Sequence, residues 1–146
     1  MADRFHAPRM KAMHAREQQR ETSMIKLTFC LVRLPHLTRE AFQGYWREKH
    51  APLVRSHAGA LRLRRYVQSH TLPEDAAPWL SASRGAPAEF DGVAELWWDS
   101  MADFTHRSPK AAAAGAALLA DEKTFIDLAK SPIFITEEFE VIPGQK

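Results

Sequence analysis

The sequence predicts an α+β fold in which four strands and two helical regions alternate in the order β-α-β-β-α-β. Three observations support this order. Runs rich in β-branched and aromatic residues occupy 25–33, 61–70, 91–99 and about 133–142. Helix-forming stretches with cap residues follow the first and third runs. Proline and glycine separate most of these segments, as expected for connections between regular elements.

The first strand and the first helix are the most sharply patterned part of the chain. "IKLTFCLVR" (25–33) is apolar on both parities, which predicts a strand buried on both faces. Thr38 is a natural N-cap for a helix that sets Phe42 and Trp46 within one narrow arc. Pro52 lacks an N–H, so this helix is expected to kink or restart near 50–52 and to end near Gly59.

The rest of the chain completes the pattern. "LRLRRYVQSH" (61–70) alternates as a strand, and "DGVAELWWD" (91–99) forms the next one. Between them, the segment 71–90 holds three prolines and a glycine, which predicts a lid or a disordered insertion. Ser100 and Asp103 form a capping box, whereas Ser108 and Pro109 restart the second helical region as N-cap and N1.

This order of elements is the ferredoxin-like, or split-βαβ, pattern. Both helical regions would cover one face of a four-stranded antiparallel sheet and leave the other face bare. The third strand is apolar on both parities, since Val93 and Trp97 alternate with Ala94, Leu96 and Trp98. A monomer would leave this apolar surface in water, so we expect a homodimer paired through the bare sheet face.

Composition and charge narrow the classes of function. The 146 residues suit one domain, with 45% apolar and 26% charged residues. The net charge of +2 comes from residues 1–23, and the remaining chain has fifteen basic and fifteen acidic residues. A neutral domain without an apolar run of about 20 residues predicts neither a nucleic-acid partner nor a membrane span. A single cysteine, Cys30, indicates a cytoplasmic protein without disulfides.

We divide the chain into an N-terminal tail, 1–23, and a domain, 24–146. The tail has no apolar central region and is therefore not a secretory signal. We expect it to be disordered or extended and without function. Two other interpretations stay open, namely a translation start at Met24 and an organellar presequence, which the three acidic residues of the tail disfavour.

The segment "EAFQGYWREKHAPLV" (40–54) carries a family resemblance. With "MIKLTFCLVRLPHLTR" before it, it resembles the opening of the EthD family in the dimeric α/β-barrel superfamily. The matching run is F-x-x-Y-W-x-x-x-H-x-P-L, formed here by Phe42, Tyr45, Trp46, His50, Pro52 and Leu53. The resemblance extends over about 24–142 and implies a ferredoxin-like protomer that pairs through its sheet into a barrel. Superfamily members include lactone isomerases, polyketide cyclases, cofactor-free monooxygenases and haem-degrading enzymes.

His50 is the leading catalytic candidate because an imidazole can accept or donate a proton near neutral pH. The kink frees the carbonyl of Glu48, which could orient the ring. Glu95 and Tyr66 are the next candidates, since each could polarise a substrate carbonyl. The structural alternative for His50 is a hydrogen-bonded core histidine. For Glu95 it is an acid paired with Arg62 or Arg64, and for Tyr66 it is a core aromatic ring.

Aromatic residues supply the candidate ligand contacts, which are Tyr45, Trp46, Trp97 and Phe29, although Trp46 is also a typical core residue. Adjacent Trp97 and Trp98 must point to opposite faces of their strand. His57 follows His50 by seven residues, about 10 Å along a helix, so the two cannot share a metal. We expect no metal site, and Cys30 suits a small buried hydrophobe.

The leading functional hypothesis is a cofactor-independent isomerase or cyclase for a small apolar or aromatic substrate, such as a lactone, aromatic or polyketide-like molecule. His50 would transfer the proton, because such reactions need only proton transfer in a dry pocket. The first alternative is a non-catalytic binding protein for a small apolar ligand. A haem-handling or oxygen-using protein ranks last, because the sequence offers no dedicated haem motif.

Overall fold

The computed structural model describes residues 6–145 of the chain. Its centre is a four-stranded antiparallel sheet in the order β2-β3-β1-β4. The strands are β1 (Ile25–Leu31), β2 (Arg65–His70), β3 (Gly92–Trp98) and β4 (Ile133–Thr136). The predicted ferredoxin-like arrangement is therefore confirmed.

Six α-helices are described: α1 (His6–Thr22), α2 (Arg39–Tyr45), α3 (Ala51–His57), α4 (Pro78–Ala82), α5 (Met101–Phe104) and α6 (Pro109–Glu122). The predicted caps start three of them. The side chains of Thr38, Ser100 and Ser108 accept hydrogen bonds from backbone N–H groups in the first turns of α2, α5 and α6. Pro109 occupies the first turn of α6, where its missing N–H costs nothing.

The predicted helix kink is a π-helical turn, Trp46–His50, between α2 and α3. The backbone N–H of Ala51 bonds to the carbonyl of Trp46, five residues back, rather than to the fourth residue back. Pro52 cannot donate to the preceding turn, so the ladder is interrupted and widens just before it. The wide turn directs both Trp46 and His50 into the protein, where both are buried.

The helix-covered face of the sheet carries the core. Strand residues Phe29, Leu31 and Ala94 pack there with Phe42 and Trp46 of the helices and with Phe125 and Ile126 beyond α6. The ring of Trp46 also lies against the backbone of β3. A Cβ added at Gly92 would come within 2.6 Å of this ring, so the close packing requires glycine at that position.

The other face of the sheet is open, and it is more polar than the pattern of β3 predicts. Trp97 is 6% exposed there because Lys26 and Arg65 lie over its ring. Its Nε1–H donates to the carboxylate of Glu138. Trp98 points to the opposite face and donates to the carbonyl of Leu61, so the prediction that the two tryptophans diverge is confirmed.

Four segments differ from the sequence predictions. The second strand begins at Arg65 rather than at 61, because residues 58–62 form a turn in which Arg62 has a left-handed backbone conformation. Residues 6–22 form a helix instead of a disordered or extended tail, because alanine, glutamine, glutamate and arginine are strong helix formers. Residues 1–5 lie outside the described part, and the division of the chain after residue 23 stays a prediction.

The last strand ends at Thr136 rather than near 142, since β1 begins at Ile25 and offers no partner farther on. Within 71–90, α4 forms an additional short helix. In the described range, no helix is long and apolar enough to cross a membrane.

Candidate functional site

His50 occupies the last position of the π-helical turn and is 5% exposed. Its Nδ1 lies 2.7 Å from Oδ2 of Asp121, the penultimate residue of α6. The imidazole packs against the ring of Phe125, with 5.1 Å between ring centroids. The turn before Pro52 and the end of α6 therefore bring together two side chains that lie 71 positions apart in the sequence.

Asp121 is itself held in place. The hydroxyl of Tyr45 donates to its other carboxylate oxygen at 2.5 Å. This bond raises the pKa of Tyr45, and Tyr45 thereby stays a phenol that fixes the carboxylate. Because an ionised carboxylate only accepts hydrogen bonds, the proton of a neutral His50 ring belongs on Nδ1.

The second ring nitrogen of His50, Nε2, makes no hydrogen bond within the described part of the chain. Among the described residues, every completely buried side-chain nitrogen or oxygen has a hydrogen-bond partner. Because Nε2 has no partner, it is not completely buried. Burial lowers the pKa of His50, and the effect exceeds the opposing influence of Asp121. The ring is therefore neutral at pH 7 and has a basic lone pair on Nε2.

Glu122 follows Asp121 and has the opposite tendency. Burial, reinforced by the negative charge of Asp121, raises the pKa of Glu122 from 4.5 to about 7. Glu122 thus retains its proton in a large fraction of molecules near neutral pH. His50, bonded to Asp121, and Glu122, the next residue in the chain, thus combine a base with a lowered pKa and an acid with a raised pKa, as proton-transfer sites often do.

Tyr66, on β2, is oriented by two donors. Its hydroxyl oxygen accepts from Nε1 of Trp46 at 3.0 Å and from Nε2 of Gln68 at 2.9 Å. His70 donates to the amide oxygen of Gln68 at 2.9 Å, which fixes the orientation of that amide. With both acceptor positions in use, the hydroxyl hydrogen of Tyr66 is left to donate to a third group. Burial raises the pKa of the Tyr66 phenol, and Glu122 adds to this increase once it is ionised.

The structure brings five of the seven predicted residues to the helix-covered face of the sheet and places the other two on the open face. His50, Tyr45, Trp46 and Tyr66 belong to the connected cluster described above, and Phe29 lies in the core beside Trp46. Glu95 and Trp97 lie on the open face, so the sheet separates them from His50. The partner of Glu95 is Lys26, at 2.8 Å, rather than Arg62 or Arg64. Nor does the Glu48 carbonyl orient His50, since Asp121 takes that role.

Asp121 and Glu122 are the residues that sequence reasoning missed. They stand in "LLADEK", at the end of an alanine-rich helix whose composition drew attention to helicity alone. Adjacent acids at a helix C-terminus are unfavourable for the helix dipole, and this is the one signal that could have marked them. Gln68 and His70 were also missed, because alternation along β2 does not distinguish an orienting amide from a solvated one.

Two of the cavities that border the described residues bear on the site. A cavity of about 320 Å³ lies between α3 and β2 and is lined partly by Tyr66. A groove of about 1080 Å³ lies under the segment 71–90 and does not include His50. No group of three or more His, Cys, Asp or Glu side chains in the described chain is arranged to hold a metal ion.

The larger groove is bordered by a network of ion pairs and hydrogen bonds around Asp91, which we call the clamp and interpret as structural. Buried Asp91 accepts from the backbone N–H and guanidinium of Arg33, and from Nε of Arg39 at 3.1 Å. Although burial opposes ionisation, these bonds lower the pKa of Asp91. Arg39 also binds Glu89 at 2.7 Å, and Gln43 donates to the carbonyl of Thr71. The clamp ties both ends of the segment 71–90 to the first helical region.

The described chain has a ferredoxin-like sheet with a histidine–aspartate pair at its helix interruption. The family model of the EthD domain matches residues 34–129, about two thirds of the chain. The chain therefore belongs to the EthD family, and the sequence resemblance is confirmed. No curated protein sequence matches the chain significantly.

Solved structures share the fold. An EthD-like protein from Ralstonia eutropha JMP134 is 22% identical with a TM-score of 0.54, and the match covers 83% of this chain and 95% of that one. An EthD family protein from Bacillus halodurans C-125 is 21% identical with a TM-score of 0.51, covering 80% and 99%. A dimeric protein with a ferredoxin-like fold from Bacteroides fragilis NCTC 9343 is 10% identical with a TM-score of 0.50, covering 79% and 96%.

Proposed function

We propose that the chain is a cofactor-independent enzyme that moves a proton on a small apolar or aromatic substrate. The reaction would be an isomerisation or cyclisation of a lactone, aromatic or polyketide-like molecule. The observation that carries this proposal is the 2.7 Å bond between buried His50 and Asp121, which leaves Nε2 of the ring available as a base. Membership in the EthD family is consistent with a small-molecule enzyme.

The proposed mechanism uses three groups in sequence. Nε2 of His50 removes a proton from a carbon next to a carbonyl, while Asp121 stabilises the imidazolium that forms. The electron pair moves onto the carbonyl oxygen, which accepts a hydrogen bond from Tyr66. Protonated Glu122 delivers a proton to another carbon of the dienolate. The imidazolium of His50 then gives its proton to water, and ionised Glu122 takes one up. Glu95, on the opposite face of the sheet, takes no part in this mechanism.

We also propose that the protein is a cytoplasmic homodimer paired through its open sheet face. The single cysteine supports the compartment, and the Bacteroides fragilis neighbour is described as dimeric. The cluster of Lys26, Arg65 and Glu138 over Trp97 would then lie at or near the interface.

The test of the catalytic proposal is a proton-transfer assay with two probe compounds that stand in for the natural substrate. The probes are α-angelica lactone, a β,γ-unsaturated lactone whose conjugation is followed by ultraviolet absorbance, and α-tetralone, whose deuterium exchange is followed by NMR. His50→Ala should lower the rate by about 10²–10⁴-fold. Asp121→Asn should lower it by about 10–100-fold, since the ring loses its orienting carboxylate. His36→Ala, at an exposed histidine, is the matched control and should leave the rate unchanged.

The pH dependence of the rate gives a second readout. The rate should rise with pH through a pKa below 6.5, as His50 loses its proton. It should fall above about 7, as Glu122 loses its proton. A His50→Ala variant that retains the wild-type rate would contradict the proposal. Tight binding of the probes without chemical change would instead favour the alternative, a non-catalytic binding protein for a small apolar ligand.

A further inference from the structure

The cavity between α3 and β2 adjoins the candidate catalytic residues. Its apolar wall is formed by four small or aliphatic side chains, Ala51, Val54, Ala58 and Leu63. Ala51 directly follows His50, and Tyr66 belongs both to the cavity and to the catalytic cluster. At about 320 Å³, the space is at the small end of the range for small-molecule sites.

All charged residues that line this cavity are arginines, namely Arg55, Arg64 and Arg65. Arg64 pairs with Asp99 at 3.2 Å, and Arg65 lies over the ring of Trp97 at 4.6 Å. Arg55, exposed on α3, forms no ion pair with any of the described residues. An apolar wall with one uncommitted guanidinium at its edge is complementary to a ligand with an apolar body and an anionic end.

Tyr66 adds a second polar requirement. Trp46 and Gln68 both donate to its oxygen, which leaves its hydroxyl hydrogen to donate to a further group. A donor that has no free acceptor position favours a carbonyl oxygen over a hydroxyl or amine that must itself donate.

We propose that this cavity binds a small keto or lactone carboxylate, with the carboxylate held by Arg55 and the carbonyl oxygen held by Tyr66. The proposal deepens the proposed function, on which it rests for the identity of the ligand as substrate. Within the class of small apolar substrates, it selects those that carry a carboxylate.

The direct test is calorimetric binding of matched probes at neutral pH and low salt. The first probe, 4-oxo-4-phenylbutanoate, combines an aromatic ring, a ketone and a carboxylate, and its neutral amide lacks only the charge. The wild-type protein should bind the acid about tenfold more tightly than the amide. In Arg55→Gln the preference should fall to about twofold or less, and added salt should reduce it in the wild type.

Two controls separate the site from general effects of charge. Arg107→Gln removes the same charge from an exposed position outside the cavity and should keep the tenfold preference. Ala58→Phe should fill the cavity and weaken both probes. Tyr66→Phe should reduce the preference for the keto acid over 4-phenylbutanoate, which lacks the ketone, by about five- to tenfold.

The outcomes also distinguish this proposal from the catalytic one. His50→Ala should keep the tenfold preference for the acid over the amide, since Arg55 rather than His50 holds the carboxylate. Unchanged catalysis in His50→Ala, with acid preference lost only in Arg55→Gln, would overturn the catalytic role and retain the site. Equal affinity of the wild type for acid and amide, equal losses in Arg55→Gln and Arg107→Gln, or acid binding weaker than about 10 mM would each overturn the site.

Discussion

The two faces of the sheet use similar titratable residues in opposite ways. On the open face, Lys26 lies 2.8 Å from Glu95 and 3.5 Å from Glu138. The bond to Glu95 raises the pKa of Lys26, and the bond from Trp97 together with Lys26 lowers the pKa of Glu138. Every one of these shifts favours the charged form, as in a structural ion-pair cluster.

On the helix-covered face, the charged forms are disfavoured. Glu122 has a raised pKa of about 7, and burial lowers the pKa of His50. No lysine or arginine is bonded to Asp121 or Glu122 among the described residues. Burial thus brings the pKa of Glu122 to neutral pH and keeps His50 as a neutral base, a combination suited to proton transfer. The comparison therefore supports the proposal that proton transfer takes place on the covered face, whereas the ion pairs of the open face are structural.

Among the variants that test this comparison, Glu122→Gln is expected to change the free energy of unfolding most. A folded-state pKa of about 7, above the ordinary value of 4.5, means that the folded protein holds this proton more tightly than the unfolded chain. That contribution is fully present below about pH 4.5 and is lost as the pH rises towards 7 and above. Glutamine does not titrate, so the variant should gain about 2 kcal/mol over the wild type between pH 4.5 and 8, allowing for partial solvent exposure.

Urea unfolding at both ends of this pH range measures the difference. His50 contributes with the opposite sign, because its lowered pKa destabilises the folded state as the pH falls below 6.5. Subtracting the wild-type curve from the Glu122→Gln curve cancels this contribution. A constant difference across the range would show that Glu122 titrates normally, and the contrast between the two faces would fail.

A smaller effect is expected from Lys26→Met on the open face. The variant removes the cation shared by Glu95 and Glu138 but keeps an unbranched side chain over Trp97. We expect a loss of about 1 kcal/mol or less in the free energy of unfolding, decreasing with added salt. Turnover of the lactone probe should not change. A large loss of turnover would place part of the catalytic machinery on the open face.

The sequence predicts the fold well because its order of elements depends on local signals. The caps at Thr38 and Ser108, and the break at Pro52, are readable from neighbouring residues. The candidate catalytic cluster depends on a contact across the fold. Asp121 meets His50 only because α6 packs beside the π-helical turn, and no spacing in the chain encodes that distance.

Glu95 illustrates a second limit of prediction from the sequence. Alternation along β3 shows that Glu95 and Trp97 share a face, and this is correct. Because both parities of that strand are apolar, the pattern does not indicate which face the helices cover. Only the packing of Phe42 and Trp46 against the strands determines that Glu95 lies on the open side.

The most direct measurement is a carbon-detected NMR titration of the Glu122 carboxyl group, assigned by its absence in Glu122→Gln. The account predicts a midpoint near 7 in the wild type, because burial and, to a lesser extent, the neighbouring Asp121 raise the pKa of Glu122. In Asp121→Asn, the midpoint should move down towards 4.5, since one negative neighbour is removed. A midpoint near 4.5 in the wild type would contradict the assignment of acid–base chemistry to the helix-covered face.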